Sequence, residues 1–139
     1  VHEDGCHVFP VRVYYEDTDA AGIVYYANYL KFAERARTEM LRAAGFDHHR
    51  LLQEHGMAFA VKRFAADYVA PARLDDALEV HTRVVNLRGA SIDAQQDIKR
   101  DGRDLARCAV TILCLGPDGR PVRLPAELRD RMRTFLNDR

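Results

Sequence analysis

Residues 15–44 read YEDTDAAGIVYYANYLKFAERARTEMLRAA, and the parsing of this stretch decides the fold. From Ile23 to Ala44 the apolar residues Tyr25, Tyr29, Phe32, Ala33, Ala36, Met40 and Ala44 recur at three- and four-residue steps. Lys31, Glu34, Arg35, Thr38 and Arg42 collect on the other side. That period predicts an amphipathic helix. Carried to Gly45, a residue suited to the left-handed cap conformation, it runs about 22 residues, or roughly 33 Å at 1.5 Å per residue. Such a helix can line a whole sheet. The polar and small residues ahead of it, EDTDAAG at 16–22, are of the kind that reverses a chain or opens a helix.

Outward from the helix the chain turns to strands. Residues 8–15, VFPVRVYY, are rich in β-branched and aromatic side chains, with Pro10 near the start of the predicted strand. On the other side, Phe46–Gly56 predicts a short second helix with Asp47 or a neighbour as its cap and Gly56 as its stop. Four strand-like segments follow, at about 57–70, 76–88, 91–100 and 104–115, separated by turn chemistry at 70–76, Arg88-Gly89 and Asp101-Gly102. Short links between consecutive strands favour antiparallel pairing. Gly116 to Gly119 closes the last strand, and Pro125 starts a final amphipathic segment with Leu128, Met132 and Phe135 on one side. The order predicts an α+β fold, with helices segregated to one face of an antiparallel sheet. No repeat or linker divides residues 1–139, so one domain is expected.

Composition excludes several functions. Bulk affinity for nucleic acid needs an excess of Lys and Arg, and here 21 basic residues face 21 acidic ones. An anion site must therefore be a local cluster. Cys6, Cys108 and Cys114 are an odd number without metal-type spacing, and the last two fall on one face of a predicted strand, so reduced thiols are expected. His48, His49 and His55 have no Cys or carboxylate cluster to complete a metal site. No apolar run approaches the roughly 20 residues of a membrane span, and VHEDGCH lacks the features of a signal peptide. A cytoplasmic address is expected.

The segment from Tyr15 to Tyr29 contains an Asp, two residues, a Gly and then an aromatic-rich helix start. It resembles the signature of the 4-hydroxybenzoyl-CoA thioesterase family. The similarity continues through Phe32–Leu41, Tyr68–Asp76 and Arg88–Ser91, and covers roughly residues 9–116. It looks closest to the bacterial branch associated with the Tol-Pal envelope system. The resemblance implies the hotdog fold, an antiparallel β-sheet wrapped around a long central α-helix, with two units pairing to continue the sheet. Many members of that branch carry His where Tyr26 stands, whereas aromatic-acyl enzymes of the family can carry Tyr. The acyl preference, short aliphatic, long aliphatic or aromatic, stays open.

The resemblance also implies hydrolysis of acyl-CoA to a free acid and CoA, without a cofactor or metal. A helix N-terminus can polarise the thioester carbonyl through unpaired N–H groups, and a carboxylate beside it can attack or activate water. Asp19 is the candidate catalytic group, either nucleophile or general base. By resemblance the carbonyl oxygen meets the backbone N–H of Tyr26. Gly22 leaves the approach clear of side chains. The alternative for Asp19 or Asp17 is a helix cap.

Coenzyme A carries three phosphate groups, so local cations are needed. Arg88, beside Gly89 and Ser91 at a strand junction near which the family's nucleotide contacts cluster, is the first candidate; Lys62 and Arg63 are weaker. Glu34 is read as a helix-surface partner of Arg37 or Thr38. Tyr14, Tyr15, Tyr25, Tyr29 and Tyr68 are read as core and interface residues rather than pocket walls. A homo-oligomer is expected, a dimer or a dimer of dimers. The rival reading is a non-catalytic module that binds acyl-CoA or an acyl-carrier protein within an envelope or lipid-synthesis complex.

Overall fold

Inward residues on alternate positions build one apolar face: Ile92, Ala94, Gln96 and Ile98 on one strand, Leu78, Val80, Thr82 and Val84 on its neighbour. In the computed structural model, which describes residues 2, 3 and 5–136, these strands belong to a six-stranded sheet. Its strands are β1 (His2–Glu3), β2 (Cys6–Arg12), β3 (Ala58–Tyr68), β4 (Ala77–Leu87), β5 (Ser91–Arg100) and β6 (Arg103–Leu115). The order is β1-β2-β4-β5-β6-β3, and every neighbouring pair is antiparallel.

Helix α1 (Asn28–Ala43) packs against the apolar face, with Phe32, Ala33 and Ala36 fully buried. Two alanines on the buried stripe leave room for the backbone to approach the strands. The result is the long helix wrapped by an antiparallel sheet that the hotdog resemblance implies. Helix α2 (His48–His55) has the expected caps: the Asp47 side chain accepts from Arg50 N, and Gly56 ends the helix at φ +64. Helix α3 (Ala126–Met132) and the turn that follows bury Leu128, Met132 and Phe135 under the far end of α1.

Two boundaries differ from the sequence reading. The first strand ends at Arg12 rather than at residue 15, although Val13 still exchanges hydrogen bonds with Asp75 and Asp76. The long helix begins at Asn28 rather than Ile23. Residues 23–25 are engaged elsewhere: Ile23 bridges Arg73, Val24 bridges Thr18 and donates to Ala72 O, and Tyr25 N donates to Asp17 O, while Tyr26 and Ala27 form the turn that leads into α1. Backbone groups committed to other segments cannot join a helical ladder. The aromatic spacing there reflects packing outside a helix.

Strand β3 lies at one edge of the sheet, is 11 residues long and is largely exposed, with a bulge between Val61 and Arg63. A strand edge of this length presents a row of backbone groups without a ladder partner.

Candidate active site

The segment from Thr18 to Val24 is a tight hairpin. Asp19 N donates to Ile23 O at 2.9 Å, Gly22 N donates to Asp19 O at 3.0 Å, and Gly22 adopts φ +78. A Cβ on Gly22 would meet nothing within 4 Å, so the glycine serves the backbone angle and leaves open space beside it. The Asp19 carboxylate is exposed, and its Oδ1 accepts from Ala21 N at 2.8 Å. Asp17 is the structural acid of the pair: it is buried, and its Oδ2 accepts from Tyr14 N.

Neither aspartate caps the long helix. Its cap position is Ala27, without a side-chain hydrogen bond, and Asp19 stands well ahead of it rather than a turn away. The capping of the long helix is therefore overturned for both residues, although Asp17 does cap the short 3-10 turn Tyr15–Asp17 through Tyr14 N. What caps would have covered stays open: no acidic residue occupies the first turn, and the N–H groups of Tyr26 and Ala27 have no acceptor among the described residues.

These two peptides are nonetheless firmly oriented. Asn28 N donates to Tyr25 O at 2.8 Å, and the Tyr68 hydroxyl donates to Tyr26 O at 3.0 Å. A trans peptide points its N–H opposite its carbonyl, so fixing the carbonyls also aims the free N–H groups of Tyr26 and Ala27. Asn28 Nδ2 further ties the helix start to Asp17 O, and Ala72 N donates to the Tyr29 hydroxyl. Burial is the main influence that raises the pKa of both Tyr29 and Tyr68, so both phenols stay protonated at neutral pH. Of the tyrosines read as core or interface, Tyr29 is buried while Tyr14, Tyr15, Tyr25 and Tyr68 are exposed.

The remaining candidates lie in two other places. Arg88 and Ser91 share the β4–β5 hairpin, where Arg88 N donates to Ser91 O. Arg129 of α3 clamps that hairpin through the carbonyls of Arg88 and Gly89. The Arg88 guanidinium is exposed, with Nε and Nη2 on Asp93 Oδ2 at 3.1 and 2.7 Å. Burial pushes the Asp93 carboxyl up, but hydrogen bonds from Thr111, Arg88 and Asn86 outweigh it and hold the group below its ordinary range. Lys62 sits on the β3 bulge, exposed and without an ion pair among the described residues. It is roughly 20 Å along the strand from Tyr68 at about 3.3 Å per residue. Among the described residues no hydrogen bond or ion pair joins the hairpin of Asp19, the hairpin of Arg88 and Lys62.

A cavity of about 320 Å³ opens between α1 and the start of β3, with Met40, Leu41, Phe59, Ile112 and Met132 in its apolar wall. None of the residues singled out for the reaction lines it. Its polar edge holds Glu34, Arg37, Thr38 and His48. Among the described residues no hydrogen bond or ion pair joins Glu34 to Arg37 or Thr38, although its charge acts on Arg37: Arg37 donates to Gln96 Oε1 at 3.0 Å, and Thr38 meets His48 at 3.3 Å. Sequence reasoning named Arg37 only as a neighbour of Glu34 and missed Gln96. The signal for Gln96 was present, since an amide interrupts the inward series Ile92, Ala94, Ile98; nothing local marked Arg37 as its partner. No group of His, Cys, Asp and Glu among the described residues could hold a metal ion. Cys108 and Cys114 are buried, and burial pushes the Cys108 thiol up to about 12, which makes it a poor nucleophile. Among the described residues no helix is long and apolar enough to cross a membrane.

Comparison with known proteins agrees with this architecture. The sequence profile of the thioesterase-like superfamily matches residues 13–132. The acyl-CoA thioesterase YbgC of Haemophilus influenzae is 48% identical over 122 residues, covering 87% of this chain and 90% of its own. The acyl-CoA thioester hydrolase YbgC of Escherichia coli O157:H7 is 46% identical over 110 residues, covering 78% and 81%. Among solved structures, a probable thioesterase from Bartonella henselae superposes with a TM-score of 0.83 at 36% identity, covering 86% of this chain and 99% of that one.

Proposed function

The chain belongs to the thioesterase-like superfamily and is an acyl-CoA thioesterase, and from that premise we propose that Asp19 carries the hydrolysis while the Tyr26 N–H polarises the thioester carbonyl. One observation carries this reading. Two consecutive oriented N–H groups, of Tyr26 and Ala27, have no acceptor among the described residues and stand at the positive end of α1.

As the thioester carbon becomes tetrahedral, its oxygen gains negative charge. Donors already aimed at that oxygen stabilise it without reorganising, an effect for which a single donor is typically worth about 10²–10³ in rate. Asp19 then serves in one of two ways. As a nucleophile, its carboxylate oxygen bonds to the acyl carbon, the C–S bond breaks, and CoA leaves as a thiolate that takes a proton. Water cleaves the resulting anhydride. As a general base, Asp19 takes a proton from water as that water adds to the carbon, and the thiolate again departs. Both routes use the same exposed carboxylate.

The nucleotide of CoA is assigned to the β4–β5 hairpin. Asp93 anchors the Arg88 guanidinium through Nε and Nη2, while Nη1 has no acceptor among the described residues and is available to a phosphate oxygen. Ser91 adds a hydroxyl at the same turn, and Lys62 an exposed charge on the β3 edge. Release of free thiol from a panel of acyl-CoAs tests the activity. In the same assay Arg88→Ala should raise KM and leave kcat within about threefold, as expected when uniform binding is lost. An unchanged KM would remove Arg88 from the site.

Strand β3 supports a homodimer. Pairing of its edge with a second copy would satisfy the unladdered backbone groups. Light scattering at micromolar concentration should give at least twice the chain mass; an active monomer would reject the pairing.

A further inference from the structure

The cavity under the start of β3 has one feature that an apolar pocket does not need. Arg37 lies on its edge, roughly 14 Å along α1 from Asn28 at 1.5 Å per residue. Its Nη1 is fixed on Gln96 Oε1, and Gln96 is itself immobilised: fully buried, its Nε2 donates to Ala33 O at 2.9 Å and to the Thr82 hydroxyl at 3.0 Å. With the amide held in that orientation, its oxygen can face only Arg37. The guanidinium is thus positioned by a buried network rather than by solvent.

The rest of that guanidinium is uncommitted. Nε and Nη2 of Arg37 have no acceptor among the described residues, and no carboxylate there lies close enough for an ion pair. Burial lowers the pKa of Arg37, and the charge of Glu34 acts in the opposite sense. A plain alkyl chain filling the cavity would shield these donors from water and offer them nothing, which is unfavourable for a charged donor. A carboxylate would satisfy Arg37 but meet the negative Glu34 on the same edge. A hydroxyl fits both neighbours, since its oxygen accepts from Arg37 and its proton can go to Glu34 or to the Thr38 oxygen.

We propose that this cavity receives the acyl chain of the substrate and that Arg37 makes it selective for chains ending in a hydroxyl group over unsubstituted chains of equal length. The inference rests on the acyl-CoA thioesterase reading above. The apolar wall contains two methionines, Met40 and Met132, whose flexible side chains adapt to an unbranched chain. The volume of about 320 Å³ is at the small end for ligand pockets, so a single chain fills it. Discrimination comes from the polar edge, because a site with a donor waiting for a substrate oxygen penalises the analogue that lacks it.

The experiment compares ω-hydroxyacyl-CoAs from hexanoyl to tetradecanoyl with the unsubstituted series, using the full chain and free-thiol release. At the chain length that reaches Arg37, the hydroxylated substrate should have a kcat/KM about tenfold or more above its plain counterpart, below the full discrimination of a closed site because this cavity is open. Arg37→Met should bring that ratio to about one, and Arg37→Lys should restore part of it. Equal kcat/KM values at every length, or a ratio that persists in a folded Arg37→Met, would overturn the proposal. The wild-type ratio needs no variant, so misfolding of Arg37→Met does not shelter the claim. If no acyl-CoA is hydrolysed, the thioesterase reading fails instead. Calorimetry with the free ω-hydroxy and plain fatty acids then decides the cavity's role, and equal affinities would refute it.

Discussion

Asp19→Asn should lower kcat for acyl-CoA hydrolysis by about 10²–10⁴ and leave the melting temperature close to that of the unsubstituted protein. The fold has little reason to notice the change. Asp19 is exposed, and its one side-chain hydrogen bond, from Ala21 N to Oδ1, can be accepted equally by an asparagine carbonyl. Neither the backbone bonds of the hairpin nor the cap of α1 uses the second carboxylate oxygen. The chemistry has every reason to notice. An amide neither takes a proton from water nor attacks a thioester, so both routes are blocked while the Tyr26 and Ala27 N–H groups stay in place. KM should change little. Free-thiol release under saturating substrate, paired with a thermal melt, gives the answer. A folded variant within about threefold of wild type, far below the roughly 100-fold minimum for a lost acid–base group, would end the assignment to Asp19.

Phe32→Ala should lower the melting temperature by about 10–20 °C, the consequence of losing roughly 3–5 kcal/mol from the core. Phe32 is fully buried at the centre of the contact between α1 and the sheet, packed with Val13, Val80, Ile98 and Cys108. Its ring lies 6.1 Å from that of Tyr29, at a near-perpendicular angle. Truncation leaves a void bordered by strands on one side and the helix on the other, and a helix pinned at its start by Asn28 and Tyr29 has little freedom to collapse into it. Calorimetry measures the loss directly. A shift of only a few degrees would mean that α1 is held chiefly by its ends. Activity assayed well below the melting point separates this effect from that of Asp19→Asn, because the candidate catalytic groups are untouched.

Which parts were readable in the sequence follows from the range of the interactions that fix them. The strand at 91–100 was legible to its boundaries because alternation and turns are properties of neighbouring residues. The α2 caps at Asp47 and Gly56, and the burial of Leu128, Met132 and Phe135, were legible for the same reason. The start of α1 was not. Residues 23–27 carry a helical spacing of aromatics, and only the hydrogen bonds to Asp17 and Ala72 and the bridge to Arg73 draw residues 23–25 into another conformation.

The candidate site divides along the same line. By itself the sequence determined the long amphipathic helix, the strand segments, the turn glycines and, through the Asp19 to Tyr29 motif, the family to which the chain belongs. Each is written in residues close together along the chain. Only the tertiary structure decided that Asp17 is the buried, structural acid while Asp19 is exposed, that the N–H groups of Tyr26 and Ala27 lack acceptors, and that β3 rather than β5 forms a sheet edge. It also decided that Arg37 meets Gln96, 59 positions away in sequence. These are facts about which distant backbone and side-chain groups compete for one another, and local pattern does not encode the outcome of that competition.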